Sequence, residues 1–326
     1  MIPSRHFFAE HKGTFAALVT AVSFFILYVS NHPVGLTAAV ATTAANKGVL
    51  LALVAMAQTL PVLTAGLDLS VGMVFVLANC LASSLVVGSP LETAFGVAAV
   101  LIIGVLCGLL NGLIIVYGRL QPIITTLATG AIYYGFALII RPVPGGDVNA
   151  DLADALTGQL PGGIPASLAV ILLVVLLVWI PYRRSVLGRA AYAVGSSENA
   201  AFMSGVPIGK AKIVAYMLSG LLAAIAGLML TFITYSGEAS AAIGGTYTLN
   251  SIAAVVIGGT SLFGGSGSAV GSIFGAFVLR TIGDLLFVFD LEPFWQPLVQ
   301  GIILLAAVSL GAVRLLRMRN RLDTFT

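Results

Sequence analysis

The chain has 326 residues, of which 59% are hydrophobic and only 8% charged, and its mean hydropathy is +1.08. Soluble proteins carry about 25% charged residues, so this composition excludes a soluble globular domain and points to an integral membrane protein. A helix needs about 20 apolar residues to cross ~30 Å of hydrocarbon, and many such runs follow one another here with short interruptions. The runs are continuously apolar and rich in Ala, Leu, Ile, Val and Gly. They do not alternate over ten-residue strands, which favours helices over a barrel.

The N-terminal stretch MIPSRHFFAEHKG places Arg5 and Lys12 before an apolar run at 14–31. That run is long enough to span, and SNHPVGL follows it in place of a small-residue cleavage site, so it reads as a retained helix and not a signal peptide. Further spans are predicted at 40–64, 71–88, 94–117, 122–140, 166–181, 212–233, 247–260, 269–288 and 295–313. Cys80 and Cys107 sit inside two of these and have no metal-ligand spacing, which makes them small packing residues.

Basic residues gather at Arg5 and Lys12, at Arg119, at Arg183, Arg184, Arg189, Lys210 and Lys212, and at Arg314, Arg317, Arg319 and Arg321. If each segment crosses once, all four places share one side, which the positive-inside rule makes cytoplasmic. Glu92, Asp147, Asp151, Asp154, Glu238, Asp290 and Glu292 then fall outside. The expectation is an all-α polytopic protein, a single transmembrane domain over 1–326 with about ten helices and both termini cytoplasmic. Two connections do more than turn the chain: an external loop at about 141–165, with room for a short helix, and a cytoplasmic loop at about 182–211.

Glycine recurs every fourth position at Gly104, Gly108 and Gly112 and again at Gly267, Gly271 and Gly275, a spacing that lets a neighbouring helix approach closely. The stretch IGGTSLFGGSGSAVG (257–271) lacks both phosphate-loop fingerprints. It reads as a tight re-entrant turn or broken helix at Gly264 and Gly265. Gly66, Leu69 and Gly72 share their spacing with Gly259, Leu262 and Gly265, a short echo of duplication.

Asp68 is the sole acid in the uncharged stretch from Gly48 to Leu91. With Ser70 it is read as a helix cap at a broken-helix joint, flanked by Gly66 and Gly72, which permit a sharp turn. A gating or inter-subunit role and ion coupling are the other readings. Arg280 and Asp284, four apart on one face, are expected to pair locally. Polar positions inside spans, among them Gln58, Asn79, Asn111, Thr125, Tyr133 and Asn250 with Asn46, Tyr134 and Ser219, are candidates for a solute pathway and equally for interhelical ties.

No paired nucleophile, histidine cluster or metal-ligand spacing occurs, so no catalytic residue, metal or cofactor is expected. Such a conduit draws energy either from an ion gradient, with Asp68 as the intramembrane acid, or from a separate ATPase. For the second, Ser196, Ser197, Glu198, Asn199, Ala200 and Ala201 followed by Gly205 and Pro207 read as a cap, a short amphipathic helix, a glycine stop and a proline turn. The residue pattern also suits an ordinary turn.

Four blocks carry a resemblance: AGLDLSVG (65–72), AVGSSENAAFMSGVPIGKAKIVAYMLSGLLAAIAGL (193–228), LNSIAAVVIGGTSLFGGSGSAVGSIFGA (249–276) and FWQPLVQGIILLAAV (294–308). Together they resemble the membrane-spanning permeases of bacterial ABC importers for ribose and related monosaccharides, over about residues 45–313. The resemblance implies a multi-pass inner-membrane permease that is not itself an enzyme. Its implied partners are a second permease subunit in a homodimer or heterodimer, two cytoplasmic ATP-binding subunits, a periplasmic sugar-binding protein and membrane lipid, with no nucleic acid. It also implies an ATPase-coupling role for Gly195, Glu198, Asn199, Ala200, Ala201, Gly205 and Pro207. In the family's motif a glutamate directly precedes the two alanines. Asn199 stands there in this chain, with Glu198 one place earlier. An ABC permease for a nucleoside, branched-chain amino acid or polyol, and an ion-coupled carrier using Asp68, are the alternatives.

Overall fold

The computed structural model describes residues 12–302 except Pro293, together with residues 305, 306 and 309. In chain order the elements are α1 (Lys12–Asn31), α2 (Ala38–Leu63), α3 (Val71–Leu85), α4 (Pro90–Tyr117), α5 (Pro122–Ile140), α6 (Ala150–Thr157), β1 (Gln159–Leu160) and β2 (Ile164–Pro165). After them come α7 (Ala166–Arg184), α8 (Val186–Ser196), α9 (Glu198–Met203), α10 (Ile208–Thr234), α11 (Ala241–Ile257) and α12 (Ala269–Val288). Within α7 the turns widen to π geometry over Val175–Trp179. The two strands form a minimal antiparallel pair with Leu160 opposite Ile164.

The chain is an all-α polytopic membrane protein. Among the described residues seven helices, α1, α2, α4, α5, α7, α10 and α12, are long and apolar enough to cross a membrane, and α3 and α11 are shorter apolar helices. At 1.5 Å per residue the 15 residues of α3 rise about 22 Å and the 17 of α11 about 26 Å. Both fall short of ~30 Å of hydrocarbon. Non-helical backbone at membrane depth is tolerated only where protein covers it. The joint before α3 meets that condition in part, since Thr64, Gly66, Asp68 and Ser70 are buried while Leu67 and Leu69 are half-buried and Ala65 is exposed.

Several predicted boundaries move, among them the start of α4, at Pro90, and of α10, at Ile208. The span expected at 71–88 stops at Leu85, and the one expected at 247–260 runs from Ala241 to Ile257. Its start was hidden by Gly244 and Gly245, yet Gly244 belongs in the helix because its bare face lies against the Gly72 carbonyl. Of the segment expected at 295–313, residues 295–302, 305, 306 and 309 are helical, and the rest of it lies outside the described residues, as do Arg5 and the cluster Arg314 to Arg321.

The centre of the molecule is α2, buried at every position from Gly48 to Leu63, as expected of a helix that is apolar all round. Helix α10 packs on α2, α3 and α4, and α12 packs on α1, α2 and α11. The stripe at Gly104, Gly108 and Gly112 forms a close seam with α10. A Cβ on Gly108 would collide with the Tyr216 carbonyl, and one on Gly220 with the Gly104 carbonyl. The second stripe is only partly helical: Gly275 presses on the Ala254 carbonyl of α11 and Gly271 on the carbonyl of Gly258 just beyond it, but Gly267 lies outside α12 with φ +135°.

Two opposite ends can be defined. At one, Gly13 in the first turn of α1 packs on Gly259, the end of α2 meets Gly195 beyond α7, and Gly209 touches Val116. At the other, the Asp147 amide donates to the Ser83 carbonyl at 3.1 Å, and Gly145 pairs with Gly237 in an isolated bridge. Arg141 clamps this end through Ser83 Oγ at 2.9 Å, the Ser83 carbonyl at 2.7 Å and Ser84 Oγ at 2.9 Å. The short helix expected within 141–165 is α6, capped by the Asn149 side chain, which accepts from the Leu152 amide at 3.0 Å.

Candidate functional site

Two features carry the chemistry, a polar knot at the α2–α3 joint and an arm built from α8 and α9. The joint begins at Pro61, in the last turn of α2. Its carbonyl accepts from the Thr64 and Gly66 amides at 2.9 and 3.0 Å, while the Ala65 amide reaches the Val62 carbonyl at 3.0 Å. These bonds form a Schellman stop with Ala65 in the left-handed position at φ +60°. The expected turn-making glycines act differently. Neither Gly66 nor Gly72 has positive φ, and both are bare because something lies close: a Cβ on Gly66 would sit 2.6 Å from the Tyr216 hydroxyl, and one on Gly72 would collide with the Gly244 carbonyl.

Asp68 is fully enclosed, at 2% exposure. Its Oδ1 accepts from the Ser70 amide at 3.0 Å and from Ser70 Oγ at 2.6 Å, and its Oδ2 accepts from Ser219 Oγ of α10 at 2.9 Å. Asn111 of α4 donates to Ser70 Oγ at 2.8 Å, and the Tyr133 hydroxyl of α5 lies 3.2 Å from Asn111 Oδ1 and 2.9 Å from the Cys107 carbonyl. The Leu69 amide donates to Thr126 Oγ1 of α5 at 2.9 Å. With its amide nitrogen turned toward the Asp68 carbonyl, Gln58 of α2 donates there at 2.8 Å and accepts from the Asp68 amide at 3.3 Å.

The predicted cap needs correcting. Ser70 holds the N-cap position of α3, but its side chain makes no cap bond, and the Asp68 carboxylate accepts from Ser70 and Ser219 and from no amide of the first turn of α3. The hydroxyl that would have capped the helix is engaged by Asp68 and Asn111. Help for the first turn comes from α11 instead, where Thr248 Oγ1 accepts from the Gly72 amide at 3.1 Å.

Of the other candidate pathway residues, Asn79 ties α3 to α10 by donating to Thr231 Oγ1 at 2.8 Å and accepting from the Glu238 amide at 2.8 Å. Asn250 donates to Gln300 at 3.4 Å, and Thr125 Oγ1 is buried with no partner among the described residues. Asn46 of α2 donates to the Thr157 carbonyl at 2.8 Å. A cavity of about 320 Å3 opens between α3, α4 and α5, lined by Leu77, Leu81, Ile103, Leu106 and Phe136, and of these candidates it touches only Tyr133. Gln58, Asn111, Tyr133 and Ser219 therefore come together around Asp68, whereas Asn79, Thr125 and Asn250 stand apart. Arg280 and Asp284 pair as expected at 3.0 Å. Lys47 of α2, not foreseen as a partner, joins the same carboxylate oxygen at 3.5 Å.

The arm starts at Ser185, whose side chain accepts from the Gly188 amide at 3.0 Å and caps α8. Ser197 ends α8 and caps α9, accepting from the Ala200 amide at 3.3 Å. Gly205, at φ +71°, stops α9 by donating to the Phe202 carbonyl at 3.0 Å, and the Val206 amide reaches the Ala201 carbonyl at 3.0 Å. Pro207 then starts α10. The cap, short helix, glycine stop and proline turn are thus all present.

Their exposure separates the expected residues. Ala201 is buried, Asn199 and Ala200 face out, and Glu198 is held by Lys212 Nζ at 2.8 Å on both carboxylate oxygens. The side chains that project most are Phe202, 72% exposed, and Met203, 84% exposed. Sequence reasoning passed over both, because two apolar residues on a short helix look like core. Arg189 on the arm, Arg183 and Arg184 at the end of α7 and Lys210 at the start of α10 are exposed as well.

Gly195 of α8 and Gly264 and Gly265 of the α11–α12 loop meet the end of α2. Gly265 donates to the Leu63 carbonyl at 3.2 Å. Tyr192 of α8 donates to the Gly267 carbonyl at 2.8 Å. Burial pushes the Tyr192 phenol above its ordinary value, with Arg183 opposing, so the hydroxyl keeps the proton it donates.

Residues 40–308 match a family model described as the permease component of branched-chain amino acid transport systems. The chain is 36% identical to the ribose import permease protein of Bacillus subtilis and 34% identical to that of Haemophilus influenzae, in each case over 79% of this chain and 80% of the relative. It is 33% identical to the fructose import permease protein of Rhizobium meliloti, over 79% of this chain and 73% of the relative. No solved structure matches. A family match over residues 40–308, more than four-fifths of the chain, leaves one assignment: the chain belongs to the branched-chain amino acid transport system/permease component family.

Proposed function

We propose that the chain is the membrane-spanning permease subunit of an ATP-driven importer, moving a monosaccharide or similar small polyhydroxylated solute delivered by a periplasmic binding protein. The observation that carries this reading is the α8–α9 arm, a rigidly capped short helix that presents Phe202 and Met203 to a partner and stands on a basic face. Exposed apolar side chains grouped on a polar surface mark a protein contact. The names of the relatives supply the solute class and the importer.

In this reading residues 1–326 form one transmembrane domain in the bacterial inner membrane, with ten spans, the tenth supplied by 295–313, and both termini cytoplasmic. The loop 182–211 couples to two cytoplasmic ATP-binding subunits through Gly195, Glu198, Asn199, Ala200, Ala201, Gly205 and Pro207, and ATP is hydrolysed on those subunits. The loop 141–165 faces the binding protein. A second permease subunit, identical or related, completes the path, because Asn79, Asn111 and Ser219 within one copy are occupied in tying helices together. The joint at Gly66, Asp68, Ser70 and Gly72, with the loop at Gly264 and Gly265, serves as the gate region. Asp68 lends no support to an ion-coupled carrier, since both of its oxygens are taken by serine donors inside the bundle.

The test is uptake of labelled ribose into proteoliposomes holding the permease with the ATP-binding subunit and binding protein that support transport when co-expressed with it. Uptake requiring internal ATP and competed by other monosaccharides is expected. Uptake that follows membrane potential without ATP would overturn the proposal. The matched family's description favours one second reading, a branched-chain amino acid as cargo, and competition by leucine but not by sugars would select it.

A further inference from the structure

The end of α8, the α2–α3 joint and the α11–α12 loop meet with almost no side chains between them. A Cβ on Gly195 would collide with the Leu63 carbonyl and the Gly265 amide nitrogen. One on Gly264 would stand 2.8 Å from the Ala65 nitrogen and 2.9 Å from the Gly195 Cα, and one on Gly265 would stand 2.7 Å from the Ser196 nitrogen. The Gly265 amide bonds the Leu63 carbonyl at 3.2 Å, and Tyr192 bonds the Gly267 carbonyl at 2.8 Å. The loop is braced internally as well: the Ser261 amide donates to the Ser266 carbonyl at 3.0 Å, and the Ser268 amide donates to Thr260 Oγ1 at 3.1 Å.

Backbone in contact with backbone has no rotamers with which to absorb a displacement, so a shift of one segment is passed to the others. Only Ser197 separates this contact from α9. Three residues beyond Ala65 stands Asp68, whose bonds reach α10 directly and α4 through Ser70 and Asn111, while the adjoining Leu69 amide reaches α5. We propose that Gly195, Gly264, Gly265 and Tyr192 form a clasp that delivers a displacement of α9 at once to the α2–α3 joint and to the α11–α12 loop, making them positioning residues for the gate. The inference rests on the importer reading above and adds the route by which the arm acts.

The test compares Gly195→Ala and Tyr192→Phe with the wild-type permease, each assembled with the ATP-binding subunit that supports wild-type uptake and reconstituted with the binding protein. The readout is solute imported per ATP hydrolysed, together with retention of the ATP-binding subunit on size exclusion. For Gly195→Ala the clasp requires import per ATP reduced at least tenfold in the complexes that assemble. Tyr192→Phe removes one hydrogen bond and no ring volume, and should lower the ratio two- to fivefold.

An assembled Gly195→Ala complex with a wild-type ratio overturns the clasp. If Gly195→Ala fails to assemble, Tyr192→Phe decides, and an unchanged ratio there, or hydrolysis and uptake falling together, overturns it in favour of plain packing. A wild-type complex that imports nothing with ATP defeats the importer reading instead, so the two failures are distinct.

Discussion

Asp68 sits where three donors converge, the Ser70 amide, Ser70 Oγ and Ser219 Oγ, and among the described residues no cation pairs with it. What the position needs is two polar atoms of this shape, and charge is secondary. In Asp68→Asn the amide oxygen still accepts from Ser70, and the amide nitrogen donates to Ser219 Oγ once that hydroxyl rotates. Uptake within about threefold of wild type is therefore expected, with unchanged assembly. Asp68→Leu strands all three donors at about 1–3 kcal/mol each, and a protein that fails to accumulate is expected. Loss of uptake in a well-assembled Asn variant would show that the negative charge itself is used. The acid was legible in the sequence as the marker of a break, because it interrupts a long uncharged run. The network around it was not: Ser219 reaches its carboxylate from 151 residues away, while Asn111 and Thr126 are brought by helix packing to Ser70 and to the Leu69 amide from 41 and 57 residues away. No local spacing records that.

At the scale of elements, periodicity and bare faces were legible and their partners were not. The stripe at Gly104, Gly108 and Gly112 announced a close helix contact, and the seam with α10 is where it is spent. The second stripe misled at one position. A four-residue spacing does not show where a helix begins, and Gly267 serves the preceding loop. Short helices were the hardest to delimit, because α3 and α11 borrow membrane depth from buried joints whose satisfaction is tertiary. The seam yields a paired prediction. Gly108→Ala drives a methyl into the Tyr216 carbonyl, and overpacking of this kind costs about 1–3 kcal/mol. A Cβ on Gly135 of α5 would meet nothing within 4 Å, so Gly135→Ala gains helix propensity worth up to ~1 kcal/mol. Thermal unfolding in detergent should fall for the first variant and hold or rise for the second. Equal effects would mean that the seam is looser than its carbonyl contacts imply.

For the whole molecule the decisive question is how a cytoplasmic partner could move a bundle whose polar groups are so thoroughly tied. On the arm the pattern of exposure runs the other way. Phe202 and Met203 point outward while Ala201 and the Glu198–Lys212 pair hold α9 against the body. Buried apolar anchors dominate protein interfaces. The double variant Phe202→Ser, Met203→Ser should therefore lose at least tenfold in affinity for the ATP-binding subunit, measured by retention on the immobilised permease, and leave the bundle's thermal stability unchanged. Gly205 governs the other requirement, that α9 end where it does. At φ +71° a side-chain-bearing residue costs about 1–2 kcal/mol, and nothing lies within 4 Å of its Cβ position, so Gly205→Val acts through backbone strain and not through a clash. The strained turn would relax by releasing the Gly205 and Val206 amides from the Phe202 and Ala201 carbonyls. With its last turn undone, α9 would still touch the partner through its side chains but transmit less of the partner's movement. Hydrolysis near the wild-type rate with import reduced at least tenfold is expected in proteoliposomes. Normal import per ATP in that variant would mean that the partner grips α9 by its N-terminal half, and that the glycine stop is only a turn.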